Sequence, residues 1–303
     1  MIETMHLEKS FGHIRAVNDV TLTMADGEIF GLVGTNGAGK STFLRLLAGV
    51  LRPDGGEILV DQEKIWDNPA RKADLFFVPS DFYFFPNATP QEMGAYFAAL
   101  YPKFDRARYE KLLREFGIDR TRRIQEFSKG MKRQTAILLG ISSGTKYLLL
   151  DETFDGLDPL MRQQVRTLFA GDMAERGLTP ILTSHDLRDI EDLCDRIGLL
   201  HAGGILLSED LAGLREGMQK VQVVFASEAD RAALLSKVSV KSDKKRGKLE
   251  TILVEANREQ TEAAFRAVGT VYFEILPLTL EEVFISKTEG MKSDGDVRTD
   301  SLD

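Results

Sequence analysis

Residues Gly34–Thr42 read G-T-N-G-A-G-K-S-T, and no other stretch constrains this chain as tightly. The spacing fits G-x-x-x-x-G-K-[ST], a loop that cradles phosphate. Gly34, Gly37 and Gly39 let the backbone wrap closely, so successive N–H groups can face phosphate oxygens. Thr35, Asn36 and Ala38 fill the variable positions of the same cradle. Lys40 suits the β- and γ-phosphates, and the Ser41 hydroxyl suits Mg²⁺. Thr42 falls in the first turn of the next helix, where free N–H groups favour an anion. The flanks agree: Ile29–Val33 is a buried strand, and Phe43, Leu44, Leu46 and Leu47 form one helix face. A strand–loop–helix unit of this kind belongs in an α/β fold.

Bulk properties narrow the partners. A length of 303 residues allows one large domain or two unequal ones, and 43% apolar residues can fill a sizeable core. A net charge of −8 argues against nucleic acid as the main partner. One cysteine, Cys194, allows no intrachain disulfide and fits a reducing compartment. The first residues lack the basic-then-apolar pattern of a signal peptide. No apolar run is long enough to span a membrane, so a membrane role would come through a partner.

Along the chain, Ile2–Leu7 and Val20–Met24 read as strands. Phe11, in K-S-F-G, either packs in a turn or stacks on a purine. Glu57–Val60 reads as an edge strand and Leu75–Val78 as a buried one. The aromatic stretch Phe82–Asn87 fits either a hydrophobic plug or a surface that docks another protein. Thr89 and Glu92 form a capping box. The helix it starts carries an apolar face of Met93, Tyr96, Phe97 and Leu100, and the next one of Tyr109, Leu112, Leu113 and Phe116. Residues 89–145 thus form a helical insertion. Ser128 caps a further helix.

Tyr147–Glu152 reads Y-L-L-L-D-E, a buried strand with two carboxylates at its C-terminal end, where α/β sheets bind ligands. Asp151 suits Mg²⁺ and Glu152 suits proton removal from an attacking water. Leu157-Asp158-Pro159 opens a helix to about Arg176. Pro180–Thr183 is the next strand, and His185 follows its C-terminal end. Beyond Gly217 the pattern shifts to short strands and helices. Lys237–Lys248 is a basic run, read as a hairpin tip or as a contact for anionic lipid. Thr288–Asp303 is polar and acidic, the composition of a disordered tail.

These motifs, in this order, make the chain resemble the nucleotide-binding subunit of an ABC transporter over roughly residues 1–209. Gly34–Thr42 resembles the Walker A loop, Tyr147–Asp151 resembles Walker B, and Glu152 stands at the catalytic glutamate. Ser128 and Gly130 stand at the signature motif, Asp158 at the D-loop, His185 at the switch histidine and Phe11 at the adenine-stacking aromatic. The resemblance implies an α/β P-loop NTPase core with an antiparallel β subdomain and a helical subdomain over about 89–145. It implies ATP and Mg²⁺, with Lys40, Glu152 and His185 acting in hydrolysis and Ser41 and Asp151 holding the metal. It also implies a second identical subunit, paired head to tail, so that ATP lies between one Walker A loop and the other copy's Ser128–Gly130 segment.

Departures from the pattern are specific. The signature reads F-S-K-G-M, with Lys129 and Met131 where Gly and Gln are usual. Thr153 replaces the proline after the catalytic glutamate. Ser80 stands at the Q-loop glutamine, short enough to reach the metal only through water. Leu276–Phe284 resembles the ending of ABC-2-type exporters. The expectation is therefore a nucleotide-binding domain over 1–216, an α+β accessory domain over 217–287 and a tail over 288–303. The chain would power export, of a peptide or other amphipathic compound, at the cytoplasmic face of the membrane. Separate polytopic subunits would span that membrane. The competing class is a soluble ABC-type switch acting on ribosomes or DNA, disfavoured by the single Walker A loop and the lack of heptads. A non-hydrolysing nucleotide-binding module is disfavoured by Glu152 and His185.

Overall fold

The computed structural model describes residues 1–283 and 285–286, so the stretch read as a tail lies outside the described residues. The chain divides into two compact units, Met1–Ser208 and Glu209–Asp303. This division falls ahead of the change of pattern seen at Gly217, because the helix Leu211–Gly217 groups with the second unit.

The first unit is built on a six-stranded sheet with spatial order 204–210, 196–201, 30–33, 179–184, 147–151, 75–78. The last five run parallel. Phe30–Val33, Tyr147–Asp151 and Thr179–Ser184 are buried throughout, as continuous apolar runs in a parallel sheet require. Register aligns their C-terminal ends: Val33 pairs with Ser184, and Asp151 with Thr183. The Lys40 loop, the Asp151–Glu152 pair and His185 all follow strands of this sheet at this one edge.

An antiparallel sheet of strands 14–24, 2–11, 55–60 and 63–64 forms the β subdomain. The segment expected to be an edge strand is thus flanked on both sides, on its outer side by the two-residue strand Glu63–Lys64. Helices Pro90–Leu100, Arg106–Glu115 and Lys129–Ser142 make the helical part. The capping box forms, with Thr89 N–H donating to Glu92 Oε2 at 2.8 Å and Glu92 N–H to Thr89 Oγ1 at 3.2 Å. The apolar face of that helix is narrower than its spacing predicts: Met93 is buried, but Tyr96 and Leu100 are exposed. The helix Pro159–Arg176 starts at Asp158, whose Oδ1 accepts from Met161 N–H at 2.9 Å, with Pro159 at the first position.

The second unit carries an antiparallel sheet of order 240–246, 249–254, 219–225, 270–276, with helices Glu228–Leu235 and Arg258–Arg266. This β-α-β-β-α-β sequence with spatial order 4-1-3-2 is the ferredoxin-like arrangement. Its core is Val221, Val223, Leu234, Ile252, Val254 and Phe265. The basic run is not only a hairpin tip: Val240–Arg246 is a whole edge strand. A lysine-rich edge resists pairing with other chains.

Candidate functional site

The loop between Phe30–Val33 and the helix Lys40–Leu47 needs glycine at two places for steric reasons. A Cβ on Gly34 would meet the Leu200 carbonyl oxygen at 2.4 Å, and one on Gly39 would meet that of Ala16 at 2.0 Å. Gly39 also holds φ +105°, a left-handed conformation that side chains oppose. The backbone therefore closes into a cradle that no Cβ fills, the shape a polyphosphate fits.

Lys40 is only 4% exposed. Its ammonium donates to the carbonyls of Gly34 at 2.8 Å and Thr35 at 3.2 Å, and lies 3.4 Å from Glu152 Oε1. A buried ammonium needs such partners. The Ser41 hydroxyl donates to Asp151 Oδ1 at 2.9 Å, and so does the Thr183 hydroxyl at 2.8 Å. Asp151 is fully buried, yet its Oδ2 has no hydrogen-bond partner among the described residues. An orphaned carboxylate oxygen beside a serine hydroxyl fits a hard cation that takes oxygen ligands.

Glu152 ends the strand in a left-handed conformation, φ +49°, a strained position for a residue with a Cβ. Two bonds hold it there. Its N–H donates to Thr183 Oγ1 at 3.0 Å and to the Thr183 carbonyl at 3.2 Å. Beyond it, His185 Nδ1 lies 3.9 Å from Glu152 Oε1 and 3.3 Å from Asp155 Oδ2. Burial, together with the nearby Glu152 charge, holds the Asp155 carboxyl above its ordinary range, although His185 and Arg133 oppose this.

The structure thus gathers Lys40, Ser41, Asp151, Glu152 and His185 at one sheet edge. Ser80 follows the neighbouring strand Leu75–Val78, whose Val78 pairs with Leu150. The remaining expected residues make local contacts within the chain. Phe11 ends its strand 48% exposed, with the Lys9 ammonium 5.7 Å from its ring centroid. Ser128 Oγ accepts from Met131 N–H at 3.2 Å, so its hydroxyl caps its own helix. A Cβ on Gly130 would lie 3.7 Å from the Gly156 carbonyl oxygen, which places Gly130 near the segment after Glu152. Thr35, Asn36, Gly37, Ala38 and Thr42 lie in the loop and the first helical turn.

Two residues of the site escaped the sequence reading. Thr183 touches both Asp151 and Glu152, but a threonine inside a buried strand carries no signal of its own. Asp155, three residues beyond Glu152, had one weak signal: a carboxylate following the D-E pair. Among the aromatics, Phe82 packs on Phe97 with ring centroids 6.0 Å apart, while Tyr83 stays 68% exposed. The segment therefore has an inward and an outward side.

Comparison with known proteins agrees with this geometry. Residues 17–155 match the ABC transporter family. The ABC transporter ATP-binding protein YtrB of Bacillus subtilis is 33% identical over 292 residues, covering 96% of this chain and 99% of the relative. The bacitracin transport ATP-binding protein BcrA of Bacillus licheniformis is 29% identical over 241 residues, 78% of each chain. The solved structure of an ATP-binding subunit of an ABC transporter superimposes with a TM-score of 0.65 at 28% identity, covering 71% of this chain and 92% of that one.

Proposed function

The chain belongs to the ATP-binding subunits of ABC transporters and is an ATPase, and on that premise we propose that it powers an ABC-2-type exporter whose membrane-spanning subunits are separate chains. The observation that carries the ATP-hydrolysing part of this reading is the convergence of Lys40, Ser41, Asp151, Glu152 and His185 at one sheet edge. Among the described residues no helix is long and apolar enough to cross a membrane. The proposal assigns the translocation path to polytopic partners and places this chain at the cytoplasmic face of the membrane. The likeness to YtrB runs through both units, and BcrA is named for transport of bacitracin, which supports a peptide or similar amphipathic cargo.

Each residue has a defined task in this reading. Lys40 exchanges its loop carbonyls for β- and γ-phosphate oxygens. Ser41 and Asp151 would hold Mg²⁺, and Ser80 would act on it through water. Magnesium, when bound, draws charge from the phosphate oxygens. The Glu152 carboxylate accepts a proton from the attacking water, oriented by the two bonds from its N–H to Thr183. His185 senses the γ-phosphate, and Phe11 stacks on adenine. A second copy supplies Ser128, Gly130 and Asp158 to the face of ATP that one copy leaves to water, because charge developing on phosphate needs donors on every side. The exposed rings of Tyr83 and Phe85 offer contact to the membrane subunits.

The test is affinity isolation of the Glu152→Gln chain from solubilised membranes of its host with ATP present. Recovery of a polytopic partner in near-equal amount is expected. Recovery of soluble partners alone would favour a soluble switch instead.

A further inference from the structure

A cavity of ≈ 80 Å³ lies beside the site, with Ser80, Phe82, Lys129, Lys132, Arg133 and Thr153 on its walls. Two buried polar atoms of this lining, Thr153 Oγ1 and Arg133 Nε, have no hydrogen-bond partner among the described residues. Thr153 is 1% exposed. Leaving such a group unpaired is costly, so native interiors keep few without a partner.

The wall is also one-sided in charge. Lys129, Lys132 and Arg133 contribute three cations, and Asp81 is the lone acid. None of the three cations forms an ion pair among the described residues. The polar residues of this wall are mostly donors, set among Val78, Pro79, Phe84 and Ala136. Water could satisfy Thr153 and Arg133, since the volume well exceeds what one water needs. It would leave the half-buried Lys132 without a counterion, whereas Arg133 already faces the Asp155 carboxylate and Lys129 is exposed. An oxyanion, whose oxygens only accept, answers both. Four tetrahedral oxygens suit donors arriving from several walls better than a planar carboxylate does.

We propose that this cavity is a second anion site, separate from the Lys40 loop, that takes an oxyanion of phosphate size and is filled by inorganic phosphate released on ATP hydrolysis. The proposal uses the ATPase activity and does not depend on the exporter reading. Thr153 follows Glu152, Ser80 follows the strand Leu75–Val78, and Lys129 follows Ser128. A bound oxyanion would tie these three segments together, and phosphate would slow turnover from outside the nucleotide cradle.

The experiment is calorimetric titration of the nucleotide-free full chain with inorganic phosphate at constant chloride. Two variants separate the sites. Lys40→Ala removes the ammonium of the loop. Thr153→Val combined with Lys132→Gln removes one hydroxyl and one charge from the cavity. Lys40→Ala is expected to keep phosphate binding, while the cavity variant weakens it by about tenfold or more. Unchanged MgATP affinity in the cavity variant shows an intact fold. Should that affinity fall, Thr153→Val alone is judged by the same criterion. Binding lost in Lys40→Ala and kept in the cavity variant would overturn the proposal, as would no binding by the unaltered chain at tens of millimolar phosphate.

Discussion

The Ser41 hydroxyl donates a 2.9 Å hydrogen bond to Asp151 Oδ1, while Asp151 Oδ2, equally buried, has no partner among the described residues. One carboxylate thus has an oxygen anchored by the protein and another left for a ligand. Asp151→Asn keeps the shape and removes the charge. It is expected to raise the Mg²⁺ concentration needed for half-maximal turnover by about tenfold or more, since hydrogen bonds and contacts to charged groups are worth roughly 1.5–3 kcal/mol. Metal titration of the ATPase rate checks this. Unchanged metal dependence would remove Asp151 from the metal site.

Thr183 supports two residues through a single side chain. Its hydroxyl donates to Asp151 and accepts from the Glu152 N–H. Thr183→Val fills the same volume without the hydroxyl. Stability should fall by about 1–3 kcal/mol for the polar groups left less well paired. Turnover should fall further than ATP affinity does, because the loss falls on the orientation of Glu152. Denaturant unfolding, with kcat compared against KM, separates a positioning role from a packing role.

Asp155 gives a pH prediction. Burial raises its carboxyl above the ordinary range, with the Glu152 charge adding and His185, Arg133 and Arg162 opposing. The folded protein therefore favours the neutral acid more than the unfolded chain does. That contribution is fully present below the ordinary carboxyl range and is lost as pH rises through the higher folded value. Asp155→Asn should melt higher than the unaltered chain at neutral pH without nucleotide, and the gap should close as pH falls. A gap that widens in acid would reverse the sign.

Asp172 is almost fully buried and holds two arginines. Arg176 reaches its Oδ2 from Nε at 3.0 Å and Nη2 at 2.7 Å, and Arg108 bonds its Oδ1 from the helix Arg106–Glu115. This joins the helical part to the helix Pro159–Arg176. Asp172→Ala takes this partner from Arg108 and leaves Arg176 only the carbonyls of Thr145 and Ile141, and should cost on the order of 3 kcal/mol. Chemical denaturation measures it, and a loss well under 1 kcal/mol would mean that solvent already screens the cluster.

Much of the site was legible because its chemistry is concentrated in short contiguous runs. The loop around Lys40 and the carboxylates of Asp151 and Glu152 each announce themselves beside a buried strand. What joins them is parallel register, which puts Val33 beside Ser184 and Asp151 beside Thr183. That register brings in Thr183, whose role depends on position rather than residue type. Tyr96 and Leu100 show the opposite limit. Helical spacing gave them to an apolar face, but only the part that meets Phe76 and Tyr109 is covered, where Phe97 stacks 5.1 Å from Phe76 and a Cβ on Gly94 would touch the Tyr109 ring. The edge strand Thr270–Leu276 was unread for a similar reason: its half-exposed pattern follows from its place beside Gln219–Phe225, a long-range pairing.

A composite site shared between two copies is tested most directly by mixing two variants of the chain. Lys40→Ala spoils the phosphate cradle, and Ser128→Ala spoils the segment offered to the partner's ATP. A mixed pair keeps one complete site, so combining the two weakly active proteins should restore turnover toward roughly a quarter of the unaltered rate by random pairing of a two-fold dimer. A Ser128→Ala chain that hydrolyses ATP at the full rate by itself, with no gain on mixing, would contradict the shared site.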